Sequence, residues 1–144
     1  MFSKKISEKP KTFALILETG DDVLDELRQF ATREHLTSSS FKGIGAFSYV
    51  RTTWFNWETR EYENAAEFNE QVEVLTLTGD IALDEEGKPA LHCHLIVGRH
   101  DGTAHGGHLA KAIVRPTLEI ILTEHPVHLQ KQYDRRSGLS LIRC

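Results

Sequence analysis

The chain has 144 residues, of which 40% are hydrophobic and 26% are charged, and its formal net charge is −4 at pH 7. This length and balance predict a single globular domain, residues 1–144, that is long enough to bury a core. The net negative charge argues against the broadly basic surface of a typical nucleic-acid-binding domain, although a local basic patch stays open.

Cysteine content and the lack of long apolar runs predict the compartment. The two cysteines, Cys93 and Cys144, make no disulfide framework. The N-terminal residues lack the apolar stretch of a secretory signal, and no apolar run approaches the roughly 20 residues of a membrane-spanning helix. We therefore expect a cytoplasmic protein that does not contact a membrane.

The N-terminal part of the chain predicts an arm, a strand and a helix. Residues 1–10 are polar and end at a proline, which is typical of a loosely held arm. The continuous apolar run over residues 13–17 predicts a buried strand. Acidic residues after Gly20 indicate a helix start, and apolar residues then recur at helical spacing to about His35.

Strand patterns dominate the rest of the chain. Residues 58–61 predict a turn, 84–89 a hairpin loop, and 106–114 a loop with one helical turn. This order predicts an α+β domain with a largely antiparallel multi-stranded sheet packed with one main helix. Strands are predicted over residues 47–57, 72–83, 91–97, 117–123 and 139–142.

Three histidines form the most informative pattern in the sequence. His92 and His94 flank Cys93 within an apolar strand pattern, and His108 follows a double glycine. Because side chains alternate along a strand, the first two imidazoles share one face about 6–7 Å apart, while Cys93 points away. Both can reach one ion, and the glycines would let the chain bring His108 close. The spacing predicts a metal site.

The other five histidines carry no such pattern. We interpret His100 and His105 as loop residues that could hydrogen-bond a metal ligand, and His35, His125 and His128 as structural or solvated residues. Isolated histidines are mostly surface residues or satisfied core residues. The same structural interpretation is the alternative for the three-histidine set.

Three further segments accompany the histidines. Gly-Ile-Gly-Ala occupies residues 43–46, residues 73–79 follow the pattern E-x-L-x-L-x-G, and Asp101-Gly102 precedes Gly-Gly-His-Leu at 106–109. In this order and spacing, over about residues 12–123, they resemble the PPC domain, the "plants and prokaryotes conserved" family.

This resemblance implies a compact α+β domain that assembles as a homotrimer and usually stands alone in prokaryotes. The fold also resembles that of acetolactate decarboxylase, which holds zinc through three histidines. The resemblance therefore implies that the metal-binding residues are His92, His94 and His108. Three neutral imidazoles suit zinc best, with nickel, copper or iron as alternatives.

The resemblance also raises DNA as a partner. Plant members of the family carry AT-hook motifs that bind A·T-rich minor grooves, and prokaryotic members are often labelled DNA-binding by association. The Arg-Gly-Arg-Pro core of an AT-hook is absent here, and Arg115-Pro116 is only a fragment of it. The sequence thus offers little support for DNA binding by this chain.

A catalytic role would need more than the metal. Structural zinc usually has four protein ligands, whereas catalytic zinc keeps three and an open position. An acid or base is also required, and the candidates are Glu119, Glu73 and Asp101. Each has a structural alternative: an ion pair for Glu119, a strand-end position for Glu73 and a turn for Asp101.

Two functions from different classes fit these observations. The first is a trimeric binding or regulatory module whose metal site binds an anionic small molecule or steadies the fold, with DNA association only by family label. The second is a metal-dependent lyase or hydrolase acting on a small carbonyl or anionic compound, by analogy of fold. The lack of a clear acid–base partner favours the first, and whether the chain is an enzyme stays open.

Overall fold

The computed structural model describes the backbone of residues 1–8 and 10–143, and the side chains of Met1 and of residues 10–143. Within these residues the chain forms nine strands and one helix. In chain order the elements are β1 (Phe2–Glu8), β2 (Lys11–Glu18), α1 (Val23–Arg33), β3 (Ser38–Asn56), β4 (Glu61–Phe68), β5 (Val72–Leu83), β6 (Pro89–Gly98), β7 (Ala104–Glu124), β8 (Gln130–Asp134) and β9 (Leu139–Arg143).

All these strands belong to one sheet with the order β1-β2-β7-β3-β5-β8-β9, in which β4 lies beside β3. Strand β6 pairs with both β5 and β7, so β3, β5, β6 and β7 form a closed cycle of neighbours. The named pairings are antiparallel except for one parallel contact between β5 and β8. The predicted α+β fold with a largely antiparallel sheet and one helix is confirmed.

Helix α1 covers one face of the strands that carry the histidines. Its N-cap is Asp22, whose carboxylate accepts hydrogen bonds from the backbone N–H groups of Leu24 (3.1 Å) and Asp25 (3.3 Å). This cap satisfies donors that have no partner within the helix. The helix packs on β6 and β7. Its fully buried residues are Val23, Leu27, Phe30 and Ala31.

The core therefore lies between α1 and the inner face of the sheet. Leu77 on β5, Cys93 and Leu95 on β6, and Leu109 on β7 are each at most 3% exposed. Because side chains alternate along a strand, the residues between them point to the opposite face. We call that side the outer face, and it carries the histidines.

Two local predictions are wrong, and two strands were not predicted. Residues 2–8 form β1 and pair with β2, so the predicted loose arm is instead a strand at the sheet edge. The predicted loop at 106–114 is the middle of β7. Strands β4 and β8 carried no strand signal because they are polar, and β4 contains no buried residue. Their pairing with neighbouring strands, rather than hydrophobic alternation, makes them strands.

One of the two cysteines belongs to the core. Cys93 is a free, buried thiol, whereas Cys144 lies outside the described residues. Across the described part of the chain, α1 is the single helix, and it falls short of the length and apolar character that a membrane crossing requires.

Candidate metal centre

Strand β6 presents two histidines on the outer face. His92 and His94 are exposed there, while Cys93 between them is 3% exposed and belongs to the core. Burial raises the pKa of the Cys93 thiol to about 12, so its sulfur stays protonated and lacks the thiolate character of a metal ligand. The predicted alternation along this strand is confirmed.

Strand β7 brings the third histidine beside them. His108 is the direct partner of His94 in the antiparallel β6–β7 pair. Two glycines allow this approach: a Cβ on Gly107 would lie 3.0 Å from the Cβ of Thr52 on β3, and a Cβ on Gly106 would meet a β6 carbonyl oxygen at the same distance. The glycines thus let β7 fit closely between its two neighbouring strands. His108 therefore lies on a strand and not in the loop that the sequence predicted.

The three imidazoles converge on one point of the outer face. Each offers one ring nitrogen, and these nitrogens lie within 4.8 Å of one another. The ring centroids are 4.9 Å apart for His92 and His94, and 5.4 Å apart for each pair that includes His108. Around tetrahedral zinc, ligand nitrogens lie roughly 3.3–3.4 Å apart, so side-chain adjustments of up to about 1.5 Å would bring these donors to one ion.

One ring nitrogen in the cluster has no protein partner. The Nδ1 atom of His108 is buried and makes no hydrogen bond within the described residues. A buried polar atom without a partner is costly. A metal ion is a partner that would satisfy such an atom, so the residues present fit a bound ion.

Two of the imidazoles are held in the neutral form that a metal ligand needs. Burial lowers the pKa of His108 to about 4, and the neighbouring His92, His94 and Lys131 act in the same direction. Desolvation, followed by the charge of His92, also lowers the pKa of His94. These rings are neutral at pH 7, when their nitrogen lone pairs are free to bind a cation.

An acidic and a basic residue beside the histidines were not identified from the sequence. Asp80 on β5 is the direct partner of His92 on β6, and its Oδ2 lies 3.4 Å from Nδ1 of His92. The ammonium group of Lys131 on β8 lies 3.3 Å from the other oxygen of Asp80. Burial raises the pKa of Asp80, but the hydrogen bond with His92 and the charge of Lys131 outweigh it, so the pKa is lowered and the carboxylate stays ionised.

This arrangement orients His92. A carboxylate at Nδ1 accepts the proton of that nitrogen and leaves Nε2 as the free lone pair, which is the usual setting of a metal-binding histidine. The only sequence signal was the position of Asp80 directly after the E-x-L-x-L-x-G pattern. The pairing with His92 depends on the β5–β6 register, which the sequence does not state.

An aromatic ring covers the third histidine. Tyr62 on β4 lies over His108, with ring centroids 4.7 Å apart. Phe55 on β3 contacts both Tyr62 (5.3 Å) and Trp57 (6.4 Å) edge-on. Strand β4, which the sequence did not predict, therefore supplies part of the wall of the site.

The acid–base candidates named from the sequence lie elsewhere. Asp101 accepts hydrogen bonds from the backbone and hydroxyl of Thr103 and pairs with Arg99, as expected of a turn residue. Glu73 is exposed at the start of β5. Glu119 is exposed on β7 beside the apolar part of the outer face, and it is not among the residues that converge with the histidines.

The remaining histidines are also apart from the cluster. His100 lies in the turn before β7, as predicted, whereas His105 lies within β7 rather than in a loop. His125 and His128 each lie within hydrogen-bonding distance of a hydroxyl group near the start of β3. Both side chains are exposed, so these contacts are compatible with the structural or solvated role predicted for them.

A family model for the Plants and Prokaryotes Conserved (PCC) domain matches residues 4–126. The chain belongs to this family. It is the family, abbreviated PPC above, that the sequence motifs resemble. The match covers the histidine-bearing strands and ends before β8, so Lys131 and the β8–β9 hairpin lie beyond it.

Solved structures extend the comparison over nearly the whole chain. A "putative dna binding protein" from Bacteroides thetaiotaomicron is 28% identical with a TM-score of 0.90, and the match covers 99% of this chain and 96% of that one. A metal-containing protein from Archaeoglobus fulgidus is 27% identical with a TM-score of 0.85, covering 97% and 98% respectively. A search of curated proteins found no significant match.

A more distant structure supports the predicted likeness to acetolactate decarboxylase. A Staphylococcus aureus protein of unknown function, described as similar to alpha-acetolactate decarboxylase, has a TM-score of 0.57 and 15% identity. The match covers 88% of this chain and 55% of that one. At this identity the likeness concerns the fold alone.

Replacing Asp80 by Asn should weaken zinc binding about 10- to 100-fold, because an amide holds the ring of His92 less firmly and makes its nitrogen less basic. Competition with a chromogenic chelator measures the dissociation constant. The matched control is Glu73→Gln, which removes an exposed carboxylate from the same strand. Equal zinc affinity of the Asp80→Asn variant and the unmodified protein would contradict the role given to Asp80.

Proposed function

We propose that this chain is a zinc protein in which His92, His94 and His108 hold the ion, and that it serves as a trimeric binding module for a small anion. The observation that carries the proposal is the convergence of three imidazoles whose donor atoms lie within 4.8 Å of one another. The metal-containing relative from Archaeoglobus fulgidus is in keeping with it. We expect the cytoplasm as the compartment.

The donor set explains the choice of zinc and of an anion. Three imidazoles suit zinc and leave one of its four usual positions for water or an outside ligand. Neutral ligands do not offset the charge of a divalent ion, so an anion is favoured at that position. When bound, zinc would act as a Lewis acid or lower the pKa of a water molecule.

The apolar part of the outer face supports self-assembly. Ile44 on β3 is 60% exposed, Ile96 on β6 is 44% exposed and Ile121 on β7 is 42% exposed. Exposed apolar patches of this kind on a sheet mark interaction surfaces. Lys42 and Glu119 lie beside the isoleucines and supply one charge of each sign, which suits a surface that pairs with copies of itself.

Catalysis is the second candidate. The observation that favours it is a cavity lined by both His92 and His108, where a substrate would have access to the ion. The same geometry would also serve ligand binding without a reaction, and a fold does not by itself imply a catalytic activity. A lyase or hydrolase acting on a small carbonyl or anionic compound is therefore the form an activity would take.

DNA binding is less well supported than these two candidate functions. A relative is described as a DNA-binding protein, although only as a "putative" one. This chain has a net charge of −4, and its sequence lacks the Arg-Gly-Arg-Pro core of an AT-hook. Any DNA binding would depend on a local patch and would weaken steeply with added salt.

The paired substitution His92→Ala and His94→Ala should abolish zinc binding, because it removes two of three ligands from one ion. Elemental analysis of protein purified without chelator measures the result, with about one zinc per chain expected in the unmodified protein. His100→Ala, which removes a histidine from an exposed turn, is the matched control and should keep its zinc. A double variant that retains stoichiometric zinc would overturn the ligand assignment.

The substitution Ile44→Asp should convert a trimer into monomers, because it places a charge in the apolar patch that copies of the chain would share. Light scattering after gel filtration gives the mass, and the unmodified protein is expected to have that of three chains of 16.3 kDa each. Val127→Asp, at an exposed position outside the patch, is the control. A monomeric unmodified protein would contradict the assembly.

A further inference from the structure

A cavity of about 390 Å³ lies beside the histidine cluster. His92 and His108 line it together with Leu139, Leu141 and Ile142 from strand β9. This volume is at the small end of the range for ligand-binding sites in proteins. The cavity therefore has room for a compact molecule in contact with the metal-binding rings and with an apolar wall.

The charges around the cavity favour an anion. The side chain of Lys131 is only 8% exposed, and its ammonium group lies 3.3 Å from Asp80 and donates to the carbonyl oxygen of Ala90 at 3.3 Å. Lys131 thus balances the single carboxylate among the described residues that line the cavity. The charge of a divalent ion on neutral histidines would remain uncompensated, and an anionic ligand would balance it.

The lining also limits the kind of anion. Among the described residues that line the cavity, Lys131 is the one lysine and there is no arginine. Phosphate groups are usually held by several charged donors or by a bidentate guanidinium. A singly charged carboxylate needs fewer donors. The leucines of β9 offer the apolar surface that a hydrocarbon chain requires.

We propose that this cavity binds a short-chain aliphatic carboxylate. Its carboxylate group faces His92, His108 and Lys131, and its hydrocarbon chain packs against Leu139 and Leu141. The inference rests on the proposed function, since the carboxylate takes the open position of the ion. It adds the chemical class of the ligand and assigns its binding to the hairpin formed by β8 and β9.

The position of that hairpin gives the inference a further consequence. The family model ends at residue 126, and the hairpin spans the residues from Gln130 to Arg143. The three histidines thus lie inside the range that the family model matches, while Lys131 and the leucine wall lie beyond it. Chain-length preference is then a property of the hairpin and not of the metal site.

Calorimetric titration of the zinc-loaded protein with acetate, butanoate and hexanoate tests the proposal. Affinity should rise roughly two- to fourfold for each added methylene group, because each buries apolar surface against β9. Hexanamide, which has the same shape and no charge, should bind at least tenfold more weakly than hexanoate. Inorganic phosphate should bind more weakly than hexanoate as well.

Two variants assign the two ends of the ligand. Lys131→Met should weaken hexanoate binding about tenfold while keeping zinc, because it removes the cation beside the carboxylate. Leu141→Ala should reduce the gain in affinity from acetate to hexanoate, because it removes apolar surface that the longer chain would bury. Leu75→Ala truncates an exposed leucine outside the cavity and should behave like the unmodified protein. If Lys131→Met does not fold, Leu141→Ala and the hexanamide comparison decide the question.

The outcomes separate this inference from the function on which it rests. Zinc is measured in every sample. A protein that holds zinc but binds acetate and hexanoate equally, or hexanamide as tightly as hexanoate, or phosphate more tightly than either, overturns the inference and leaves the zinc site intact. A protein that binds no zinc overturns the proposed function and this inference with it.

Discussion

The site depends on the pairing register of β6 with its two neighbours. That register places His94 opposite His108 and His92 opposite Asp80. Because side chains alternate, a slip of one residue would turn both β6 histidines into the core and bring Cys93 to the outer face. Helix α1 packs on the inner face of β6 and β7, so the apolar core penalises any such slip.

Electrostatics and packing then act on the same few side chains. Burial keeps His94 and His108 neutral, and Asp80 and Lys131 compensate each other at the edge of the cluster. The neutral imidazoles suit the proposed binding of a cation, and the Asp80–Lys131 pair adds no net charge beside them. The β8–β9 hairpin takes part in this balance through Lys131, although it is far from the histidines in sequence.

Sequence patterns predicted the parts of the fold that depend on local alternation. The strand predicted over residues 72–83 has the same bounds as β5. The outward direction of His92 and His94 followed from the alternation of side chains along a strand. Strands β4 and β8 are polar, so their existence depends on partners that a single sequence does not reveal. Asp80 and Tyr62 were missed because they reach the histidines only across a strand pairing or a ring contact. Lys131 was missed because it joins the site through Asp80.

X-ray absorption at the zinc edge of the protein purified without chelator would report the ligands of the ion. A three-histidine centre should give about three imidazole nitrogens near 2.0–2.1 Å, with oxygen ligands completing the shell and no sulfur. A sulfur ligand near 2.3 Å would mean that a cysteine binds the ion, which contradicts a shell of imidazole and oxygen ligands alone. A spectrum with fewer than two imidazole ligands would contradict the three-histidine centre altogether.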